Sequence, residues 1–385
     1  MTHTVIGGGI SGTILAMLLS RQKDVTVIDR LAEKTIRSSG AGFVLWPNGV
    51  KIFRSLFPNW NLYEIGTDLT AVKTYKKNGD LVTTKDLQST FEQSGCYPIV
   101  INRAALMDKL YNYIQKKKMP VSYVFDREVN YQSLLADSNG SFVFLCSGIN
   151  SGVQGYGVTA SYANVYNFVG VSSPTFLPHL TVGQEYLGDQ VRTGYMPLPG
   201  DSLYFRYSFF QPYQTHFSDP KKKLLTKFSR FPACVREHIE SLNNKEISVR
   251  PEMSAGALPP LSNIDVDAWL PILGDALCPM TSGSGQGVSQ ALEDSYIMYL
   301  LLNEKGFTPT MLRNYYAERL PRREMIREAS LKVTQIMSLP EEDFIDTWAK
   351  QALRKNSYPN NPILTLPTRI REAIIRFTPT CCVAC

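Results

Sequence analysis

The chain has 385 residues, of which 44% are hydrophobic and 19% charged, and a formal net charge of +6 at pH 7. This composition is typical of a globular protein with more than one lobe and excludes a disordered chain. The basic residues form only short, isolated runs, so we expect no nucleic-acid partner. No apolar run is long enough to predict a membrane span.

The N-terminus predicts a strand, a glycine turn and a helix in immediate succession. A short, partly β-branched run precedes Gly7-Gly8-Gly9-Ile10-Ser11-Gly12, and a segment of helical composition follows it. In this pattern Gly7 permits a tight turn, Gly9 lets the backbone approach a pyrophosphate, and Gly12 lets the helix pack against the strand. The free N–H groups at the start of the helix favour phosphate binding.

A carboxylate follows the second predicted strand. Val25–Ile28 ends in Asp29, about 20 residues beyond the first glycine, where an acid accepts hydrogen bonds from ribose hydroxyls. We expect Asp29, with Arg30 beside it and Ser11 in the turn, to contact a dinucleotide. An acid at this position fits the unphosphorylated ribose of FAD or NAD better than that of NADP.

A second glycine-rich turn opens a second helix near residue 275. Leu270–Leu273 reads as a buried strand that runs into Gly274-Asp275-Ala276, and Pro279 and Gly285-Gln286-Gly287 follow. The predicted helix, Val288–Leu302, carries Ala291, Glu293 and Asp294.

This order of Gly-Asp-Ala, Pro, Gly-Gln-Gly and Ala-x-Glu-Asp resembles the FAD-dependent monooxygenases of the para-hydroxybenzoate hydroxylase class. Gly40-Ala41-Gly42-Phe43 with Pro47-Asn48-Gly49, and Ile101-Asn102-Arg103, agree with the same pattern. The resemblance covers residues 5 to about 330 and implies FAD as cofactor and NAD(P)H as co-substrate. It also implies that Asp275 bonds the ribityl chain of FAD and that Arg103 lies along the dinucleotide.

The fold class expected is α/β: a Rossmann-type FAD-binding lobe with a parallel sheet, interleaved with a β-sheet substrate lobe, plus C-terminal helices. We place the FAD-binding lobe in residues 1–60, 96–160 and 255–330, the substrate lobe in 61–95 and 161–254, and a helical extension with a cysteine-rich tail in 331–385. The residues expected at the cofactor are Gly7, Gly9, Ser11, Gly12, Asp29, Arg30, Gly42, Arg103, Gly274, Asp275, Pro279, Gly285, Gln286 and Gly287.

Two departures from the family pattern concern charge. Where the family has an acid and an arginine between its two cofactor segments, this chain has Ser147 and Gln154. Reduction by a nicotinamide is therefore the step that the sequence supports least. A third departure puts Cys278 where the family often has histidine, and we expect it to be a buried core thiol like Cys96, Cys146 and Cys234.

The substrate lobe offers several candidate pocket residues but no catalytic one. Segments 195–198 and 203–207 read as strands, and alternate residues of a strand face opposite sides. Tyr195, Phe205, Arg206 and Tyr207 could therefore line a pocket, although aromatic residues more often lie in the core. The four histidines form no motif that nominates a base, and their spacing offers no metal site.

The function expected is insertion of one oxygen atom from dioxygen into a small, aromatic or electron-rich molecule. Another redox flavoenzyme on this fold, an oxidase or a reductase, is an alternative. A non-catalytic FAD-binding protein is a further alternative, because Ser147 and Gln154 replace charged groups.

The C-terminal part predicts helices. The segment from Thr308 to about Met337 reads as a helix pair with Arg319, Arg322 and Arg323 exposed, and 367–377 reads as an amphipathic helix. The last residues, Cys382-Val383-Ala384-Cys385 after Cys381, have the outline of a prenylation box. A docked helix is the preferred interpretation, and peripheral membrane contact through Cys381 and Cys382 is the alternative. Because the first strand begins so close to Met1, we expect a cytoplasmic protein without a targeting peptide.

Overall fold

The structure is a computed structural model that describes residues 2–129, 142–150, 159–173, 181–258, 271–353 and 365–377. Gln154 and the cysteine tail lie outside the described residues, so the predictions for them stay predictions.

A parallel sheet with its helices forms the N-terminal part of the fold. Its four strands are β1 (His3–Ile6), β2 (Val25–Ile28), β8 (Val121–Val124) and β9 (Val143–Leu145), in the order β8-β2-β1-β9. A parallel bridge between Leu145 and Ile272 continues this sheet beyond β9. The strands are rich in β-branched residues and mostly buried, as expected where helices cover both faces of a parallel sheet.

A seven-stranded sheet forms the second lobe, in the order β14-β10-β13-β12-β11-β5-β6. Its strands come from two separate stretches of chain, and they meet where β11 pairs in parallel with β5. The strands are β5 (Ala71–Lys76), β6 (Leu81–Asp86), β10 (Ala160–Ser172), β11 (Gly183–Gly188), β12 (Val191–Leu198), β13 (Ser202–Phe210) and β14 (Ser248–Ala255). A small antiparallel sheet lies against it, with the order β3-β7-β4 for β3 (Gly42–Leu45), β4 (Gly66–Asp68) and β7 (Ile99–Asn102).

Two of the described helices are capped by the side chain of the residue that precedes them. Asn102 accepts a hydrogen bond from the N–H of Ala105 at 3.1 Å, and Thr308 accepts one from Met311 at 3.1 Å, so each caps the helix that follows. The helices are α1 (Ile10–Leu19), α2 (Glu33–Ser38), α3 (Pro47–Leu56), α4 (Gln88–Ser94), α5 (Arg103–Lys116), α6 (Pro220–Lys227), α7 (Ala233–Ser241), α8 (Gly287–Lys305), α9 (Pro309–Ile336), α10 (Glu341–Leu353) and α11 (Thr368–Phe377).

The predicted α/β class, with a parallel sheet, a second β-sheet lobe and C-terminal helices, is confirmed. The predicted helix pair after Thr308 is wrong, because α9 is a single helix that continues through Pro321. The prediction that Arg319, Arg322 and Arg323 are exposed is also wrong. Arg319 and Arg323 are fully buried and the Arg322 side chain is 13% exposed, because α8 supplies carboxylates to all three.

Helix α11 is docked on the protein. Ile370 and Ala373 are buried against α3 and α8, and Arg369 pairs with Glu304 and with Glu318. The apolar side of this helix is therefore covered by protein, as the preferred interpretation required. Among the residues that the structure describes, no helix has the length and apolar character needed to cross a membrane.

Candidate cofactor and substrate site

Three of the predicted cofactor segments meet at one edge of the parallel sheet, together with the segment that carries Ser147. Gly7 follows β1, Asp29 follows β2, Ser147 comes two residues after β9, and Gly274 follows the bridging residue Ile272. Since these strands are parallel, their carboxyl ends share an edge. Strand β2 lies on one side of β1 and β9 lies on the other, so the order of the strands reverses at β1. Ligands of open α/β sheets bind at such a switch point.

The three glycines of the first turn have different reasons to be glycine. Gly7 has φ +105°, and a Cβ there would lie 2.4 Å from the carbonyl oxygen of Cys146. A Cβ on Gly12 would lie 1.8 Å from the carbonyl oxygen of Gly7, so the helix could not approach the turn. A Cβ on Gly9 would meet no atom within 4 Å. The protein thus requires Gly7 and Gly12 for its own packing, whereas the space beside Gly9 is open to a ligand.

Asp29 holds the glycine turn from the end of β2. Its Oδ2 accepts a hydrogen bond from the N–H of Gly8 at 2.7 Å, and its Oδ1 accepts one from Leu31 at 2.8 Å. Each carboxylate oxygen has a further lone pair, so Asp29 can still accept from a ribose hydroxyl. Arg30, the next residue, is exposed.

Arg103 lies against the loop that leads from α2 into β3. Its Nη1 donates to the carbonyl oxygens of Ile36, at 3.1 Å, and of Ser39, and a Cβ on Gly40 would lie 2.4 Å from its Cδ. Burial, together with repulsion from Arg250, lowers the pKa of Arg103. Among the described residues no carboxylate pairs with this guanidinium, which leaves it suited to an anionic ligand.

Gly274 and Asp275 form a tight turn beside the glycine fingerprint. Gly274 has φ +64°, and a Cβ there would lie 3.2 Å from the Oγ of Ser11. Asp275 is solvent-accessible, but the surrounding protein still raises the pKa of its carboxyl by burial, while Arg323 lowers it. The turn therefore presents an acceptor group next to the start of α1.

The second glycine turn starts α8 without a side-chain cap. Gly285 has φ +65° and packs on the indole of Trp46, Gln286 is 1% exposed, and a Cβ on Gly287 would meet nothing within 4 Å. Pro279, upstream, accepts a hydrogen bond from the N–H of Ala255 at 2.8 Å. The start of α8 thus has open space beside Gly287, no side-chain cap and the positive end of the helix dipole.

A buried network of ions, which sequence reasoning missed, connects these segments. Glu293 accepts from Arg319 at 2.7 Å, from Arg322 at 2.6 Å and from Asn48 at 2.8 Å. Asn48 also donates to the Oε1 of Gln286 at 3.1 Å. The start of α3, the start of α8 and helix α9 are therefore fixed to one another. The signal in the sequence was the adjacent pair of carboxylates on α8 with three arginines on α9, at positions that had been assigned to the surface.

Of the four predicted core thiols, all of which are free of disulfide bonds, three are buried. Cys96, Cys146 and Cys278 are buried, whereas Cys234 is only half-buried and lies 3.6 Å from the hydroxyl of Tyr186. Burial raises the pKa of Cys278 to about 11. Cys278 is therefore the inert core residue that was preferred from the sequence.

The large sheet has an outer face that packs on α6 and α7 and an inner face that looks toward the cofactor segments. Tyr195, Phe205 and Tyr207 lie on the outer face, where they are fully buried in an apolar cluster. The core position that was preferred from the sequence is therefore confirmed for these three and the pocket alternative is wrong, because the period of two in β12 and β13 places them on the covered side. Arg206 alternates with Phe205 and Tyr207 and lies on the inner face.

The inner face carries a polar cluster between the lobes. Arg206 donates to the Oε1 of Glu252 at 3.1 Å and to Asn167 at 3.1 Å, and Glu252 also accepts from the N–H of Ser282 at 3.3 Å. Tyr204, two residues before Arg206, packs on Gly42, where a Cβ would lie 2.8 Å from the Cβ of Tyr204. Gly42 and Ser282 belong to two of the segments that the sequence places at the cofactor. The inner-face cluster is thus a candidate floor for a substrate.

The described residues fit a bound dinucleotide. Open space lies beside Gly9 and Gly287, at the starts of α1 and α8, neither of which has a side-chain cap. The hydroxyl of Ser11 is buried without a hydrogen-bond partner, and Asp275 presents an accessible carboxylate at the same edge. Two helix starts suit anionic or electron-rich groups, and a carboxylate suits hydroxyl groups.

These features define a flavoprotein-type dinucleotide fold with an interleaved β-sheet lobe, the fold of FAD-dependent hydroxylases. The chain superposes on Klebsiella pneumoniae HpxO complexed with FAD and uric acid with a TM-score of 0.75 and 19% identity, covering 98% of this chain and 96% of that one. It superposes on a salicylate hydroxylase substrate complex with a TM-score of 0.71 and 20% identity, covering 100% and 99%.

Sequence comparison gives the same class. The chain is 23% identical over 370 residues to the aurachin C monooxygenase/isomerase of Stigmatella aurantiaca, covering 92% of this chain and 94% of the relative. It is 25% identical over 354 residues to the FAD-dependent urate hydroxylase of Klebsiella pneumoniae, covering 86% and 88%. No family model matches the chain. The resemblance to FAD-dependent monooxygenases is confirmed, and FAD, predicted from the sequence, is the cofactor named for several of these relatives.

Proposed function

We propose that the protein is an FAD-dependent monooxygenase that inserts one oxygen atom of dioxygen into a small aromatic or otherwise electron-rich molecule, with NAD(P)H as reductant. In the overall reaction, dioxygen supplies one atom to the substrate and one to water, and NAD(P)H supplies the two electrons. The observation that carries the proposal is the polar inner-face cluster held between the two glycine segments that would hold the flavin.

FAD when bound would supply the redox and oxygen chemistry, and the chain would bind and orient the reactants. The N–H groups near Gly9 would hold the pyrophosphate, and Asp275 would accept from cofactor hydroxyls. The start of α8 would place its positive end against the flavin ring and favour negative charge there. Arg103 would add positive charge along the dinucleotide.

The substrate would lie on the inner face of the large sheet. Tyr204 and Arg206 are the residues best placed to touch it, because both project between the lobes and neither is covered by α6 or α7. The phenol of Tyr204 has no hydrogen-bond partner among the residues that the structure describes, so it is free to bond a hydroxyl or carbonyl oxygen of a ligand. Such a group is common in electron-rich rings that undergo hydroxylation.

The first experiment is rapid mixing of the FAD-loaded protein with NADH or NADPH, with and without candidate phenols and nitrogen heteroaromatics. Bleaching of the flavin absorbance that a substrate accelerates, followed by transfer of labelled oxygen from dioxygen to the product, is the expected result. Flavin that neither donor bleaches would contradict the proposal.

A matched pair of variants tests the position of the substrate. Tyr204→Phe removes a hydroxyl from the inner face, and Tyr207→Phe removes one from the outer face three residues away. The Tyr207 hydroxyl bonds Tyr195 at 2.9 Å and His238 at 2.5 Å, so its loss should lower stability and leave KM unchanged. Loss of the Tyr204 hydroxyl should raise KM at unchanged stability. The reverse pattern would place the substrate elsewhere.

A second function is favoured by one observation. Ser147 stands directly beside Gly7, where a Cβ would lie 2.9 Å from the Cα of Ser147, at a position where the family pattern has an acid. A protein that binds FAD and is not reduced by nicotinamide would account for this change. Rapid mixing distinguishes the two functions, because only the monooxygenase requires reduction by NADH or NADPH.

A further inference from the structure

The backbone conformation at Gly274 needs contacts from other segments of the chain to hold it. Its left-handed conformation, with φ +64°, and its close approach to Ser11 restrict the position to glycine. Glycine is also the most freely rotating residue, so the direction of the next side chain, Asp275, is set only if the peptide is held by other groups.

Two charged side chains hold the two ends of Gly274. Its N–H donates to the Oδ2 of Asp294 at 2.8 Å, and its carbonyl oxygen accepts from the Nη2 of Arg323. The same Nη2 lies 3.3 Å from the Oδ2 of Asp294, and Arg319 holds the other oxygen of Asp294 through its Nε at 2.6 Å. Hydrogen bonds to ionised groups are stronger and more directional than neutral ones. The turn is thereby fixed from α8 and α9 together.

Fold stability alone does not account for this arrangement. Asp294, Arg319 and Arg323 are all fully buried, and well-packed apolar residues often replace buried ion clusters with no loss of stability. The Nε and Nη1 of Arg323 are moreover buried without a hydrogen-bond partner, which costs free energy. Arg323 contacts the carbonyl group of Gly274, directly before Asp275. Its free-energy cost is therefore explained by a role in holding Asp275 in position.

Asp275 is also electrostatically dependent on Arg323. Burial and the charge of Asp294 both raise the pKa of Asp275, and Arg323 is the group that lowers it. A carboxylate at this edge would repel phosphate and accept hydrogen bonds from hydroxyl groups. Its contact must therefore be with a hydroxyl-bearing part of the dinucleotide, away from the pyrophosphate at Gly9.

We propose that Arg323 is a positioning residue for the cofactor: with Asp294 it clamps the Gly274 peptide and so aims the Asp275 carboxylate at the hydroxyl-bearing, flavin-side half of FAD. The inference rests on the proposed placement of FAD and does not depend on turnover. The cofactor site would then have two parts. The first glycine turn would bind the ADP half of FAD without help from Arg323, whereas the Gly274 turn would need Arg323 to bind the flavin-side half.

The test compares the affinity of the apoprotein for FAD and for ADP, by titration calorimetry, in the wild type and in three variants. Arg323→Met should weaken FAD at least tenfold and leave ADP within twofold. Arg323→Lys keeps the positive charge without the planar guanidinium, so its affinity for FAD should lie between those of the wild type and of Arg323→Met. The control is Arg327→Met, one turn further along α9, where the arginine bonds Glu324 and the carbonyl oxygen of Ala255 but not Gly274.

If Arg323 had only a structural role, Arg323→Met would weaken the binding of FAD and of ADP in parallel, and this result would overturn the proposal. An unchanged affinity of Arg323→Met for FAD would also overturn it. If circular dichroism shows that Arg323→Met does not fold, the FAD-to-ADP affinity ratio of Arg323→Lys decides the question by the same criterion. A wild type that binds FAD and hydroxylates nothing would refute the proposed function and leave this test intact.

Discussion

Alanine at Gly12 and at Gly9 should have opposite consequences, although both glycines belong to one turn. At Gly12 a Cβ would lie 1.8 Å from the carbonyl oxygen of Gly7, whereas real Cβ contacts of this kind do not fall below 3.0 Å. The obstructing atom is backbone and cannot rotate away. Overpacking costs about 1–3 kcal/mol, and we expect the upper end here. Alanine gains about 1 kcal/mol in helix propensity, which leaves a net loss of about 2 kcal/mol in the unfolding free energy of the apoprotein.

At Gly9 the same methyl group meets only open space, and the backbone, with φ −71°, accepts alanine. The apoprotein should lose less than about 1 kcal/mol, since alanine is only a poorer N-cap than glycine. The methyl group would instead intrude on the pyrophosphate. A clash of about 1–3 kcal/mol corresponds to roughly fivefold to 150-fold weaker FAD binding.

Urea denaturation of the apoprotein and fluorescence titration with FAD measure the two effects separately. The reasoning is refuted if Gly12→Ala is as stable as the wild type, or if Gly9→Ala binds FAD with unchanged affinity.

Three further predictions concern the ionisable groups. Arg319→Met leaves Glu293 and Asp294 short of a partner and should cost about 3–5 kcal/mol in urea denaturation, whereas Arg369→Met, whose partners are partly exposed, should cost at most about 1 kcal/mol. Stability should fall as the pH is lowered: burial holds the pKa of His238 at about 3, so the unfolded chain takes up a proton near pH 6.5 that the folded chain resists. Burial alone would raise the pKa of Glu293, but Arg322 and Arg319 lower it to about 2, so its stabilisation is present above about pH 4.5 and is lost toward pH 2. Denaturation midpoints that do not change between pH 7 and pH 4 would contradict the assignment for His238, and midpoints that do not fall further between pH 4.5 and pH 2 would contradict that for Glu293. Asp275→Asn keeps the shape and loses the charge, so it should weaken FAD in titration while apoprotein stability is unchanged or higher; equal FAD affinity would exclude a role for the carboxylate.

The cofactor segments could be predicted because each is local. Gly7-Gly9-Gly12 must follow a strand and start a helix for reasons of backbone geometry alone, and β1, α1 and β2 lie where the pattern placed them. The same is true of Gly274 and of Gly285, both of which have positive φ. In these segments the residue type carries the information, and no distant part of the chain is needed to interpret it.

The burial of the arginines on α9 could not be predicted from local pattern, because their partners are supplied by α8. A run such as Arg319-Leu320-Pro321-Arg322-Arg323 reads as an exposed charged face until another helix brings Glu293 and Asp294 against it. Which face of a strand is covered cannot be predicted from the local pattern either. Alternation shows that Phe205 and Arg206 point in opposite directions, but only α6 and α7 decide which direction is covered.

The sequence by itself thus determined the class of cofactor, the α/β order of elements and the position of the glycine turns, because these depend on residues close together in the chain. Only the tertiary structure decided which side of the large sheet faces the glycine turns and that buried charges fix the Gly274 turn. Both depend on contacts between segments far apart in sequence, where the free energy of burying a charge is set by the partner that the fold supplies.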